Sequence, residues 1–288
     1  MYGLIVEHAR NGIWLPNHED KWAVLSVTGL QPVPSQLVLQ NVAGMDGQRY
    51  AGQKMNTRNI VITLRLTGNV EENRNELYYY FPQNRPLKIY YTNDTHDVYI
   101  EGYVETIECD LFSSDEIFQV SILCPDPLFK DLESKRFRLG HYDRYLEFPI
   151  YINAGEPIPI DDHLDTMSKL VENRTQLDLP MEIEAVCTVA GFNPTIYCAP
   201  NDFDDEWIGF NLSGNGMAVG DSIKINTDPA GLKCTYKTAG GVESNLFPKL
   251  KNGASFPVIR PGYNTISYTS TNGDGIISFT YRNRYRGV

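Results

Sequence analysis

The chain has 288 residues and a formal charge of −11, with 25 Lys and Arg against 36 Asp and Glu, and 42% of its residues are hydrophobic. The length suggests two domains, and the hydrophobic share is ordinary for a globular chain that buries a core throughout. The acidic balance disfavours nucleic-acid binding, which needs clustered positive charge. No stretch approaches the roughly 20 apolar residues that span a bilayer as a helix.

Met1 to His8 lack the basic start and apolar run of a secretory signal, so the expectation is a chain made and folded in a cytoplasm, without membrane insertion. Between Asn59 and Thr67, Ile60, Ile62, Leu64 and Leu66 alternate with Val61, Thr63 and Arg65, the period of a half-buried strand. Asn69 with Glu72 three residues on predicts a capped helix start. The run Asn73 to Tyr80 has no glycine or proline, and Pro82 ends it. Tyr78, Tyr79 and Tyr80 cannot all face one core from consecutive helical positions, so at least one is expected to meet a neighbour or solvent, an interface being the more attractive of the two.

Leu87–Tyr91 and Val98–Val104 flank a polar turn at Asn93 to His96 and predict a hairpin. Phe118, Val120, Ile122 and Cys124 predict a closing strand. Pro125 and Pro127 then argue for a boundary, and Lys130 to Tyr145 is charged without clear periodicity. A second helix is expected from about Asp161 to Asn173, with Leu164, Met167, Leu170 and Val171 on one face. Strands are expected at Met181–Val189, Trp207–Leu212, Ser222–Asn226, Lys233–Lys237, Asn264–Tyr268 and Ile276–Tyr281. Asn272-Gly273-Asp274-Gly275 reads as a hairpin turn. The expected architecture is all-β with one or two short helices, divided into residues 1–135, a linker or insertion at 136–180, and a β-sandwich at 181–288.

Little in the sequence points to chemistry. Cys109, Cys124, Cys187, Cys198 and Cys234 form no Cys-x-x-Cys pair and read as buried free thiols. His8, His18, His96, His141 and His163 make no zinc-binding pattern, and no Gly-x-Ser-x-Gly elbow occurs. Glu182 and Glu184 share a strand face, as the solvent side of a half-buried strand does. Asp161 and Asp162 suit a helix N-terminus. The acidic loop Asn201 to Glu206 lacks the glycine and distal glutamate of an EF-hand. Gly214-Asn215-Gly216 with Gly220 opens no helix, which argues against a dinucleotide site. Arg282, Arg284 and Arg286, alternating with Asn283 and Tyr285, read as one face of a terminal strand. No catalytic, cofactor-binding or metal-ligating residue is expected, and the chain reads as a non-enzyme.

The order of several short motifs resembles the siphophage distal tail protein family. They are Gly29-Leu30-Gln31-Pro32, Arg58-Asn59-Ile60-Val61-Ile62-Thr63-Leu64, Arg74-Asn75-Glu76-Leu77-Tyr78, Ile100-Glu101-Gly102-Tyr103-Val104-Glu105, Phe118-Gln119-Val120-Ser121-Ile122 and Cys124-Pro125-Asp126-Pro127-Leu128-Phe129. In the second half come Gly220-Asp221-Ser222-Ile223-Lys224-Ile225, Pro261-Gly262-Tyr263-Asn264-Thr265-Ile266 and Tyr281-Arg282-Asn283-Arg284-Tyr285-Arg286-Gly287-Val288. Leu146 to Thr175 has no counterpart.

The resemblance implies a virion-tail building block assembled in the host cytoplasm. Its N-terminal β-sandwich-like domain, with helix and hairpin, forms a homohexameric ring between the tail tube protein and the tail-tip hub or tail-associated lysin. Its C-terminal galectin-like β-sandwich carries receptor-binding proteins or side fibres. Tyr78, Tyr79, Tyr91, Tyr99, Arg284 and Tyr285 are the expected interface residues, and the hairpin at Leu87–Val104 is a natural ring contact. The competing reading is a carbohydrate-binding sandwich for host adsorption, marked by a shallow groove with exposed Trp207 or nearby tyrosines.

Overall fold

The computed structural model describes residues 3–8, 11–14, 21–44, 46–111, 113, 115–144, 162–212 and 216–288. They divide into two compact units, one formed by Met1–Leu132 with Arg284–Val288 and the other by Glu133–Asn283.

The first unit runs β1 (Gly3–His8), β2 (Asn11–Trp14), β3 (Trp22–Thr28), β4 (Ser35–Gln40), β5 (Arg49–Met55), β6 (Arg58–Leu66), α1 (Val70–Tyr80), β7 (Pro86–Thr92), β8 (Asp97–Cys109), β9 (Ile117–Cys124) and β10 (Phe129–Asp131). Its main sheet has the order β2-β1-β7-β8-β9-β6-β3, with β10 also on β8. Ile60, Ile62, Leu64 and Leu66 are buried as their alternation predicts, together with Phe118, Val120, Ile122 and Cys124 of the neighbouring strand. Bulges fall at Val24/Ser26 of β3 and Val104/Thr106 of β8. Such insertions leave one residue unpaired and re-aim it, and here Leu25 and Glu105 point out to solvent.

The helix lies where its sequence predicts, with a different start. Asn69 makes no side-chain cap bond; its Nδ2 instead donates to Glu72 Oε2 at 2.8 Å. Asn73 fastens the first turn, buried and donating from Nδ2 to the carbonyls of Thr67 (2.7 Å) and Lys21 (3.2 Å). Leu77 enters the core, and the helix closes with the Phe81 amide donating to the Leu77 carbonyl.

The second unit contains β11 (Lys135–Arg144), β12 (Asp162–Thr166), β13 (Ser168–Asn173), β14 (Met181–Val189), β15 (Pro194–Pro200), β16 (Glu206–Gly209), β17 (Ser222–Asn226), β18 (Lys233–Lys237), β19 (Glu243–Asn245), a 3-10 turn at Phe247–Lys249, β20 (Gly262–Ser270) and β21 (Asp274–Tyr281). A seven-stranded sheet, β12-β11-β21-β14-β17-β18-β19, and a four-stranded sheet, β13-β20-β15-β16, supply one shared core. Ile183, Ile223, Ile277 and Phe279 enter it from the first sheet, and Ile196, Cys198, Ile266 and Tyr268 from the second. That is the packing of a β-sandwich.

Three features depart from the sequence reading. The helix expected at 161–173 is replaced by β12 and β13; Asp161 itself lies outside the described residues. Of the apolar side chains described there, Val171 is buried while Met167 and Leu170 are exposed, so β13 is held by its ladder to β20. The described part of 136–180, expected as a linker or insertion, supplies strands to both sheets. The Asn272–Gly275 turn joins no hairpin, because β20 and β21 lie in different sheets. Gly273 takes φ +61°, and a Cβ on Gly275 would collide with the Phe192 ring, so the turn lets the chain cross the sandwich over that ring.

The terminal run Arg282–Arg286 is likewise not one strand. β21 ends at Tyr281, and β22 (Arg284–Tyr285) pairs with β10 in the first unit.

Candidate assembly surface

The motifs of the first unit, far apart in sequence, converge on one side chain. Arg58 opens β6 and is 1% exposed. Its Nε donates to the Pro127 carbonyl at 2.8 Å, its Nη1 to the carbonyls of Gly29 and Gln31 (the latter at 2.7 Å), and its Nη2 to the Arg286 carbonyl. The guanidinium lies 4.5 Å from the centre of the Phe129 ring. Arginine suits this role because its planar fork presents several donors in fixed directions. Burial lowers its pKa from the ordinary arginine value, while Cys124 acts the other way. Gly29 is required here: its φ is +87°, and a Cβ would collide with the Asn59 carbonyl. The Val288 amide donates to the Leu30 carbonyl at 3.2 Å, and Gly287 packs on Pro32.

The expected interface residues fall into separate groups. Tyr78 and Tyr79 are exposed on α1, with Tyr78 5.6 Å from the Phe118 ring. Tyr91 is a core residue, since β7 turns Leu87, Ile89 and Tyr91 inward together. Tyr99 is half-buried beside Tyr90, whose hydroxyl donates to Glu7; burial first, then that bond, pushes the Tyr90 pKa up to about 12. Tyr99 and Arg284 each register with Lys130 of β10, from its two sides. Tyr285 pairs with Phe129 and packs 4.8 Å from the His96 ring. The hairpin at Leu87–Val104 is not a free arm: β7 and β8 lie inside the main sheet with their apolar face buried.

The free element is one that periodicity alone did not single out. β4 and β5 form a two-stranded sheet of their own. The register places Leu37, Leu39, Tyr50, Gln53 and Met55 on one face. Leu37 is 55% exposed, Leu39 46% and Tyr50 57%, and none belongs to either core. The opposite face carries Gln36, Val38, Gln40, Arg49 and Lys54. The alternation in Gln36-Leu37-Val38-Leu39-Gln40 and the glycines at 44 and 47 were the available signals. Whether an apolar face is covered, however, depends on partners distant in sequence.

A second uncovered face lies on the outside of the main sheet. There Tyr103, Leu123 and Asn59 form one cross-strand row and Thr106, Ser121 and Val61 the next, with the Ser121 hydroxyl donating to the bulged Glu105 at 3.3 Å. Glu101, Tyr103, Glu105 and Glu108 are exposed.

The second unit presents a groove on its larger sheet, about 240 Å³, lined by Arg136, Glu182, Glu184, Lys224, Lys233 and Thr280 among others. Glu184 pairs with Lys224 at 3.0 Å, and no aromatic ring lines the groove. Trp207 and Tyr197 lie elsewhere, half-buried and paired across β16 and β15. In the acidic loop, Glu206 is committed to Arg260, which also reaches Asp178 at 2.6 Å. No cluster suited to hold a metal ion occurs among the described residues, and none of their helices is long and apolar enough to cross a membrane.

Comparison with known proteins agrees with this architecture. Residues 21–124 match the profile of the phage tail protein RIFT-related domain. No curated protein sequence matches the chain. Among solved structures, the Dit protein of phage SPP1, described as a paradigm of the hub adsorption apparatus in phages infecting Gram-positive hosts, aligns with TM-score 0.67 and 13% identity over 99% of each chain. A chain of the phage P2 baseplate in its activated conformation with Ca aligns with TM-score 0.50 and 12% identity over 100% of each chain. Residues 21–124 thus resemble the phage tail protein RIFT-related domain, and the chain as a whole shares the fold of the Dit protein of phage SPP1.

Proposed function

We propose that the chain is a non-enzymatic structural component of a phage tail tip. Its first unit closes into a homohexameric ring between the tail tube protein and the tail-tip hub or tail-associated lysin. Its second unit, a galectin-like sandwich, faces outward to carry receptor-binding proteins or side fibres. The ring is assembled in the host cytoplasm and resides in the virion tail.

One observation carries the reading: a tail-protein domain at 21–124 sits within a chain that aligns end to end with a phage hub adsorption protein. The geometry supports it. A ring needs two different patches per protomer, each complementary to the other, and the first unit leaves two dissimilar faces uncovered, the β4–β5 hairpin and the outside of β8 and β9.

Light scattering coupled to size-exclusion chromatography, followed by negative-stain imaging, tests the proposal. The expected particle has six times the 32.6 kDa chain mass and six-fold symmetry. A two-fold dimer, or a chain that stays monomeric at its highest soluble concentration, refutes the ring.

A further inference from the structure

Residues 284–288 complete the first unit, yet the chain reaches them only after the whole of the second. β22 pairs with β10, Tyr285 opposite Phe129 and Arg284 opposite Lys130, and Phe129 is fully buried. The Arg286 carbonyl accepts from Arg58. The Val288 amide donates to the Leu30 carbonyl, between Gly29 and Gln31, whose own carbonyls accept from the same guanidinium. The five residues therefore form one wall of the Arg58 cradle. A two-residue ladder, bonds at Arg286 and Val288, and the packing of Tyr285 on His96 and Gly287 on Pro32 make a short grip. Such a grip holds only if the segment is kept close.

The second unit supplies that closeness. Its β11 and β21 are antiparallel neighbours, with Lys135 opposite Tyr281 and Arg136 opposite Thr280. Once they pair, the chain entering the sandwich and the chain leaving it lie one strand spacing apart, about 5 Å. Only residues 132–134 and 282–283 then separate them from the β10–β22 ladder. With the sandwich unfolded, the same closure spans about 150 residues. Closure probability falls as about the 3/2 power of loop length, so the folded sandwich raises the local concentration of 284–288 at β10 on the order of 100-fold.

We infer that residues 284–288 are a clasp delivered by the sandwich: pairing of β11 with β21 sets β22 on β10 and so completes the Arg58 cradle of the first unit. The second unit thereby controls the conformation of a site to which it contributes no residue. A chain whose sandwich is unfolded keeps the main sheet but leaves β10 paired on one side only and Arg58 short of an acceptor. The loops that the cradle shapes, 29–32 and 125–131, mature last, after a sandwich that lies downstream of both. The coupling is reciprocal, so the docked clasp also stabilises the sandwich. None of this depends on whether copies of the chain form a ring.

Native-state hydrogen exchange of the full chain at increasing urea is the test. Ile277→Ala removes volume from the sandwich core, where Ile277 is fully buried, so that the sandwich opens first; Ile277→Val serves if the alanine variant leaves solution. Peptides covering 29–32 and 125–131 are expected to lose protection about 100-fold in the same step as β14 and β21. A second variant adds Lys130→Cys with Arg284→Cys, a facing pair of the ladder at a spacing a disulfide can bridge. Once oxidised, it is expected to restore that protection with the sandwich still open. Deleting 284–288 is expected to remove it with the sandwich folded. Protection at 29–32 that persists while β14 and β21 exchange overturns the inference. So does a disulfide that restores nothing, or a deletion that leaves protection at 29–32 within about twofold of wild type.

Discussion

Replacing Arg58 with methionine keeps most of the side-chain volume and removes the charge. Two effects then oppose each other. The variant no longer buries a cation, and exchanging buried charge for apolar volume is often neutral when both partners of a pair are replaced. Here the partners are four backbone carbonyls, of Gly29, Gln31, Pro127 and Arg286, and they remain after the substitution. Each carbonyl left buried and unpaired costs about 1–3 kcal/mol, though some regain water near the surface, and the Phe129 contact adds about 0.5–1 kcal/mol. The second effect wins, for a net loss of about 3–5 kcal/mol. At about 3 °C per kcal/mol for a unit of this size, the melting transition of the first unit falls by about 10 °C or more.

Differential scanning calorimetry reads that shift, and hydrogen exchange reads its location. Protection is expected to fall first in peptides covering 29–32 and 284–288, ahead of the second-unit sandwich. A methionine variant within about 1 kcal/mol of wild type, or one whose lost protection centres on β14 and β21, would show that the four carbonyls do not depend on Arg58. Lysine is a milder probe, since its single ammonium cannot span all four acceptors, and it is expected to lose about half as much.

Gly275→Ala places a methyl group against the Phe192 ring and the Val186 carbonyl; overpacking of this kind costs about 1–3 kcal/mol, read as a lower urea midpoint for the second unit. Asp221 is buried, which pushes its pKa up, but bonds from the Tyr236 hydroxyl and the Ala239 and Ala218 amides outweigh this and hold it below 3.8. Its contribution is therefore present above the unfolded carboxylate range and lost as pH falls through the folded value. Denaturant melts of Asp221→Asn should accordingly show a flatter acid limb than wild type, and an unchanged limb would contradict the assignment. Burial pushes the thiols of Cys124, Cys198 and Cys234 up to about 12, whereas Cys109 is only half-buried. Titration with Ellman's reagent should find Cys109 reacting ahead of these three, which open only on denaturation; fast labelling of Cys198 in the native chain would contradict the sandwich core.

Strands with strict apolar alternation were legible to the residue: β14, β17 and β18 match their expected bounds. β15 was missed because prolines bracket it, yet Pro194 and Pro200 stand at its two ends and cost the ladder little. β11 was hidden by charge. Arg136 and Arg138 face away from the core while Leu139 is buried, so the pattern is period-two after all. The reading of a helix at 161–173 weighed apolar spacing that the fold leaves largely exposed. The turn at Asn272–Gly275 had the right residues for a hairpin, but local turn chemistry cannot tell whether the next strand joins the same sheet. Tyr91 was avoidable as an interface candidate, since it shares the inward parity of Leu87 and Ile89.

The motifs that carried the family resemblance acquire a common cause in Arg58. Gly29 to Pro32, Pro127 to Phe129, and Arg286 to Val288 are far apart in sequence, Arg286 lying 228 positions from Arg58, yet each supplies an acceptor, a ring or a packing surface around one buried guanidinium at the start of β6. An irregular loop can present its carbonyls inward only if something pairs them, and a single five-donor side chain does so for three segments at once. That arrangement fastens Arg284–Val288 to the first unit, although the residues just before them belong to the second. The sandwich is thus bracketed, entered after Leu132 and left before Arg284, with both flanking segments tied to the same sheet through β10 and β22. Its sheets close over one core, while the first unit keeps an apolar ribbon and an acidic sheet face open. Faces left uncovered by intramolecular packing are where association lowers free energy most, and that is what supports the proposed assembly through the first unit.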